Sequence, residues 1–508
     1  MRQLATALLL VAFQFNSLGF ATRRPASDER APVSSKTSYQ VSPQVSPQAS
    51  PKGFPNRVSG APLVSIGRNQ GAFLMLSDIH FDPFADPALV PGLAAAPAGS
   101  WASVFESSRN HALARNSRDS SYWLLASAIA AARNSGVRFD YVLVTGDYLA
   151  HDLRSKYRAQ KLADQDFPDF AIKTMVFVSS MIQNAFPGIP IVGVIGNNDS
   201  TCDDYAEPPR SALFSRLATE WNVVATRPDA ARDLASGGFY AIPHPVVPRQ
   251  DLIILNSVFW STHYHPGCST IPGRAVPDGD PGALQMAWLE RKLEESQSAG
   301  HTAVLIMHIP PGMDSFNSAA QSDCNKPISF WKAEYAEKFQ VIIERHKKIL
   351  RDSYAGHLHR DDFRVFTDDG APFLQMHIAP AISPVYLNNP AFEIGLYDKA
   401  SGALADYTAV YLKNYKSAGK SESPDWSKEY AFRQAYNAPD VSPASLATLA
   451  AGIEAQPAIR ERFLDFYAAH DLVVSILATK DWPFYACAET QIGTTGFAGC
   501  ACPAPGSK

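Results

Sequence analysis

Five short segments carry the metal-binding side chains of this chain in a fixed order, and most follow an apolar run. They are Asp78-Ile79-His80, Gly146-Asp147, Gly196-Asn197-Asn198-Asp199, His308 and Gly356-His357-Leu358-His359. The runs at 73–76, 141–144, 191–195 and 304–307 lead into the first four and read as buried strands. Further strands are expected at 252–255, 373–378 and 403–412. Helical spacing appears between them at 122–132, 170–186, 284–293 and 333–350. Such alternation predicts an α/β fold with partly parallel sheets. In those folds function gathers beyond the carboxyl ends of strands, where these donors lie.

Two aspartates (Asp78, Asp147), one asparagine (Asn197) and four histidines (His80, His308, His357, His359) supply mixed oxygen and nitrogen donors. That is enough for two divalent ions sharing one carboxylate. Paired residues two apart at a strand end, Asp78 with His80 and His357 with His359, can point the same way. Gly146 lets the backbone come close, so Asp147 is the candidate bridge. The rigid exit Ile309-Pro310-Pro311-Gly312 would hold the loop of His308. Singly, each segment reads as a turn or a surface loop; as an ordered set they point to a dinuclear site. Adjacent cations suit phosphate-ester hydrolysis above other chemistries, because they generate a nucleophile from water and neutralise phosphoryl charge.

At 508 residues the chain has room for more than one domain. The net charge of −4, with no dense basic block, argues against a stable nucleic-acid complex. Residues 1–21 read as an export signal: Arg2, a short apolar stretch at 4–13, and small residues before a cut after Ala21. The alternative is an uncleaved anchor or a buried helix. Residues 22–66, rich in Pro, Ser and Gln, read as a disordered linker. An α/β domain is expected over 67–415. A helical, cysteine-containing subdomain is expected over 416–508, with helices at 426–436, 444–455 and 459–469. Six cysteines fit an oxidising compartment, so the protein is expected to be secreted or periplasmic. Cys268–Cys324 is the first expected bridge, and Cys487 with Cys500 or Cys502 the second. A thiolate metal site is the rival, but there is no C-x-x-C pair.

The ordered set resembles the calcineurin-like metallophosphoesterase superfamily. Gly146-Asp147-Tyr148-Leu149-Ala150-His151-Asp152 is similar to the G-D-x-x-x-H-D signature of its acid sphingomyelinase-like phosphodiesterase branch. So are Gly237-Gly238-Phe239-Tyr240-Ala241, Met307-His308-Ile309-Pro310-Pro311-Gly312 and the stretch from Asp425-Trp426 to Tyr436. The resemblance implies a four-layer αββα sandwich. It implies one ion on Asp78, His80, Asp147 and His359, and another on Asp147, Asn197, His308 and His357. Zinc is the branch's usual metal, and iron or manganese suit the same donors. It further implies a phosphoric diester hydrolase in which a metal-bridging hydroxide attacks phosphorus in line.

Asn198 stands where the family has a histidine. An amide cannot transfer a proton but still donates hydrogen bonds to phosphoryl oxygen. The resemblance, which places the counterpart of His151 beside the substrate phosphate, makes it the expected acid for the leaving oxygen; the alternative makes it a structural residue at a helix start or a support for the ligands. No saposin-like six-cysteine module precedes the domain, so a small phosphodiester or nucleotide-type substrate is expected, and membrane contact is not indicated. The aromatics Trp426, Phe463, Phe466 and Tyr467 are read as core. Gly-Asn-Asn-Asp also resembles endopolyphosphatases, whose polyanionic substrate wants free cations near the cleft. Arg154, Lys156, Arg158, Arg210 and Arg360 are the available supply. A metal-binding but catalytically inactive interaction protein is the remaining alternative. Oligomeric state is not legible.

Overall fold

The computed structural model describes residues 62–113, 117–268, 279–321, 326–471 and 481–502. The export signal and almost all of the linker expected upstream lie outside these residues, as does Cys324. Twelve strands are described: β1 (Gln70–Leu76), β2 (Tyr141–Val144), β3 (Ile191–Gly193), β4 (Tyr240–Pro243), β5 (Gln250–Ile254), β6 (Thr302–Ile306), β7 (Leu350–Ala355), β8 (Asp362–Asp368), β9 (Ala371–Ile378), β10 (Ala391–Asp398), β11 (Leu404–Leu412) and β12 (Trp426–Ala431).

They form two six-stranded sheets, ordered β12-β11-β10-β1-β2-β3 and β4-β5-β6-β7-β9-β8. In the first, β1, β2 and β3 run parallel and β10 pairs antiparallel with β1. In the second, β5, β6, β7 and β9 run parallel, with β4 and β8 antiparallel at the two edges. The sheets pack face to face. Phe73 of β1 meets Tyr354 of β7 edge-on at 5.5 Å, and the Leu404 amide of the first sheet donates to Asp352 of the second at 2.9 Å. Helices cover the outer faces. Tyr122–Arg133 begins at Ser121, whose hydroxyl accepts from the Leu124 amide, a cap that satisfies one of the orphan N–H groups of the first turn. Phe167–Ala185 and Pro281–Ser298 each start with proline in the first turn, where the missing N–H costs nothing.

Two expectations are corrected. The helix expected at 333–350 ends at Arg345, and Leu350 opens β7. That strand lacks apolar alternation because Asp352 and Ser353 are buried and bonded, Asp352 to Gln375 and Ser353 to the Gln375 carbonyl. The helix expected at 426–436 is β12 followed by a short helix, Phe432–Tyr436. Trp426 and Tyr430 are the buried residues of that strand; a spacing of four fits a helix face and a strand face alike. Helices Pro443–Ala455 and Pro457–Tyr467 match their expected places, and Trp426, Phe463 and Tyr467 are core.

The cysteine pairing is also corrected. Cys268 bonds Cys202, not Cys324. The cause is local: Ala206 and His265 form a parallel bridge, which lays the two loops side by side. Cys487–Cys500 is the second bridge, and Cys502 is disulfide-bonded as well.

Candidate metal centre

β1, β2 and β3 are neighbours in one sheet, β6 and β7 in the other, and all five end at the same edge of the sandwich. The donors follow those ends. Asp78 and His80 leave β1, Asp147 leaves β2, Asn197 follows β3, His308 follows β6, and His357 and His359 follow β7. The backbone there is unusual: Asp78, His80, Asp147, His357 and His359 all have positive φ, between 43° and 73°. Left-handed backbone disfavours residues bearing a Cβ by about 1–3 kcal/mol each and collects where function requires it. These side chains converge because the chain curls back at each strand end, not because an extended strand continues.

Short contacts tie the cluster together. Asp147 Oδ2 lies 3.4 Å from His80 Nε2 and 3.2 Å from His308 Nε2. His359 Nε2 is 3.3 Å from Asp78 Oδ1 and 2.9 Å from His80 Nε2. His308 Nε2 is 3.1 Å from Asn197 Oδ1. The donors sort into Asp78, His80 and Asp147, and into Asp147, His308 and His357, with Asp147 common to both.

The donor chemistry fits cations. His80 Nδ1 lies 3.0 Å from the Leu149 carbonyl and His308 Nδ1 2.8 Å from the Thr145 carbonyl. A carbonyl accepts only, so both Nδ1 atoms carry the proton and both Nε2 atoms turn lone pairs inward. His80 Nε2 and His359 Nε2 face each other at 2.9 Å beside an Asp78 oxygen, an arrangement that a cation between them would satisfy. All seven expected donors are thus brought to one pocket. Burial pushes the Asp147 carboxyl up, but His308 and His80 outweigh it and hold it well below the usual range. For His308, burial pushes down while Asp147 pulls harder, raising it to about 9, so a cation binding at Nε2 would displace a proton.

Supporting residues fix these loops. Asp199 accepts from the Tyr148 and Leu149 amides at 2.8 and 3.0 Å and from the Gly196 amide at 2.9 Å. It thereby laces the Asp147 and Asn197 loops together. Burial, and then Asp147, push its carboxyl up to about 8. Asp78 accepts from the His357 amide at 3.0 Å. Gly196 sits so close that a Cβ would overlap the Asp147 backbone nitrogen and carboxylate. Gly196→Ala is therefore expected to destabilise the fold by about 1–3 kcal/mol. By displacing Asp147 it should cut turnover about a hundredfold. Melting temperature and metal content measured together check this.

His151 lies beside the cluster, stacked on His80 at 3.9 Å between ring centroids. Its Nδ1 is 2.8 Å from Asp119 Oδ1, and its Nε2 is 3.3 Å from the Tyr386 hydroxyl. Burial pushes this imidazole down, but the Asp119 contact raises it above the ordinary value. Asn198 donates from its backbone N–H to Asp147 Oδ1 at 2.8 Å and from its amide to Oδ2 at 3.0 Å. One of its two side-chain N–H bonds therefore already serves Asp147.

Sequence reasoning missed Asp119, Tyr386 and the lacing role of Asp199. Asp199 had a signal, being part of Gly-Asn-Asn-Asp. Asp119 had none: it reaches His151 because Ser120 and Phe81 form an isolated bridge that delivers its loop to the His80 segment.

Comparison with known proteins follows the same line. The family described as "Acid sphingomyelin phosphodiesterase C-terminal region" matches residues 371–480. Acid sphingomyelinase-like phosphodiesterase 3b of Mus musculus is 25% identical over 424 residues, covering 79% of this chain and 84% of that protein. Cyclic GMP-AMP phosphodiesterase SMPDL3A of Bos taurus is 28% identical over 425 residues, covering 80% of this chain and 85% of that protein. Among solved structures, a dimetal phosphatase from Danio rerio superposes with a TM-score of 0.39 and 14% identity, over 67% of this chain and 95% of that one; so loose a superposition carries no weight. The chain is thus similar to the acid sphingomyelinase-like phosphodiesterases, and it is a metal-dependent phosphoesterase.

Proposed function

We propose that this chain is an exported hydrolase of a small, soluble phosphodiester. Asp78, His80, Asp147 and His359 hold one divalent cation, and Asp147, Asn197, His308 and His357 hold a second. The observation that carries this reading is Asp147 Oδ2, placed 3.4 Å from one histidine nitrogen and 3.2 Å from another. Zinc is the metal we favour, and iron or manganese suit the same donors. When bound, such a pair supplies a water nucleophile near neutral pH and neutralises phosphoryl charge. The bond from the water oxygen to phosphorus forms as the ester P–O bond breaks. His151, oriented by Asp119, gives its proton to the departing oxygen. Asn198 steadies an equatorial oxygen with its remaining amide N–H.

The nucleotide-type substrate is preferred because one relative is named for a cyclic dinucleotide. The polyphosphate alternative loses ground on the cations near the site. Lys156 is bound to Asp82 and Asp119, Arg154 and Arg158 to Asp164, and Arg360 to the carbonyls of His359 and Tyr386. The disulfides, Cys202–Cys268 and Cys487–Cys500 among them, support export to an oxidising compartment. A catalytic domain at 67–415 with a helical subdomain at 416–508 belongs to the same reading, except that β12, within 416–508, pairs with β11 and completes the first sheet, its Trp426 donating to Ser127 at 2.7 Å.

Chelation tests the whole. Exhaustive dialysis against a strong chelator is expected to reduce bis-p-nitrophenyl phosphate turnover to under about 1%, with recovery on adding zinc or manganese. Full turnover by protein verified as metal-free would end the proposal. A panel of cyclic dinucleotides, ATP, sphingomyelin and long-chain polyphosphate then ranks substrates.

A further inference from the structure

A second group of donors is closed inside the molecule behind the catalytic loop. Asp361, His377 and Glu393 offer ligand atoms that all lie within 4.8 Å of one another, and all three residues are buried. They come from three places: Asp361 from the turn after His359, His377 from β9 of one sheet, and Glu393 from β10 of the other. His377 Nε2 lies 2.6 Å from one Glu393 oxygen. The other, Oε1, has no donor, although the Asp361 carboxyl faces Glu393 within hydrogen-bonding reach. Tyr430 donates to the remaining Asp361 oxygen at 2.6 Å. A small cavity walled by Asp361, Tyr407, Tyr430, Tyr436 and Phe466 adjoins the group. Glu429 on β12 adds another buried carboxyl nearby, approached by His470 at 3.5 Å.

Charge decides what this group needs. Among the described residues no Lys or Arg is paired with Asp361, Glu393 or Glu429. Three carboxyls closed in a low-dielectric interior are unstable as anions unless something positive joins them. A single shared proton would answer one carboxyl–carboxyl contact. A cation answers Glu393 Oε1, Asp361 and the imidazole nitrogen together. One histidine and two carboxylates form a zinc-type donor set. The catalytic donors show the same pattern, with ligand atoms drawn together at 2.9–3.4 Å.

We propose that Asp361, His377 and Glu393 bind a further divalent cation, zinc by its donor chemistry, which staples the two sheets together behind the His357–His359 loop. The test is anomalous diffraction from crystals of the full chain grown with zinc chloride, with data above and below the zinc edge. A peak enclosed by these three residues is expected. No peak there, alongside peaks at the catalytic donors, would overturn the proposal in favour of shared protons. A peak there with none at the catalytic donors would sustain it and sink the catalytic reading instead. In solution, Glu393→Gln is expected to lower zinc from about three equivalents per chain to about two. Unchanged zinc in a folded variant would refute the site. Should that variant fail to fold, the wild-type map decides alone.

Discussion

Asp147→Asn is expected to lower kcat/KM for bis-p-nitrophenyl phosphate by about a thousandfold or more, equivalent to about 4 kcal/mol of transition-state stabilisation. Bound metal should fall with it. The substitution is nearly isosteric, so packing around a fully buried side chain is kept and the loss reads as chemistry. Oδ1 accepts the Asn198 amide and Oδ2 faces His80 and His308. An amide presents one oxygen and one N–H2 group. If the oxygen keeps the Asn198 contact, N–H bonds point at the imidazole nitrogens that are meant to ligate. If it turns round, the Asn198 amide loses its acceptor. Either way the shared anion between the two groups of donors disappears. Metal analysis and steady-state kinetics on the same preparation measure it. Unaltered metal content with unaltered turnover would sink the bridging role.

The second large effect is selective. His151→Ala is expected to slow hydrolysis of an alkyl phosphodiester by about a hundredfold to a thousandfold, and of a nitrophenyl diester far less. A nitrophenolate leaves without a proton, whereas an alkoxide does not. Asp119→Asn should copy the pattern more weakly, because it removes the acceptor 2.8 Å from Nδ1 that orients the ring and favours its charged form. A leaving-group series run with each variant gives the slope. Equal losses across the series would assign His151 to scaffolding, where its stacking on His80 would then be its whole contribution.

The donor segments were legible because they combine two local signals, an apolar run and a ligand-type residue just past it. β2 and its Gly146-Asp147 exit are the clearest case, since Tyr141–Val144 is fully buried. β7 escaped notice because two of its buried groups, Asp352 and Ser353, are polar and satisfied by Gln375 on a neighbouring strand, a partner that periodicity cannot reveal. Asp119 and Asp361 escaped for a related reason: each matters through a residue far along the chain, His151 and Glu393. The Cys202–Cys268 bridge likewise follows from a contact between Ala206 and His265, not from cysteine spacing. What the sequence conceals here is long-range and polar; what it displays is local and apolar.

The positive φ values at Asp78, His80, Asp147, His357 and His359 bear on substitution at those positions. Glycine at any of them would relax the local conformation while deleting a ligand. Relief of backbone strain and loss of a ligand therefore lie along the same mutational step at five positions. The strain held at these five strand ends is what presenting a donor there requires.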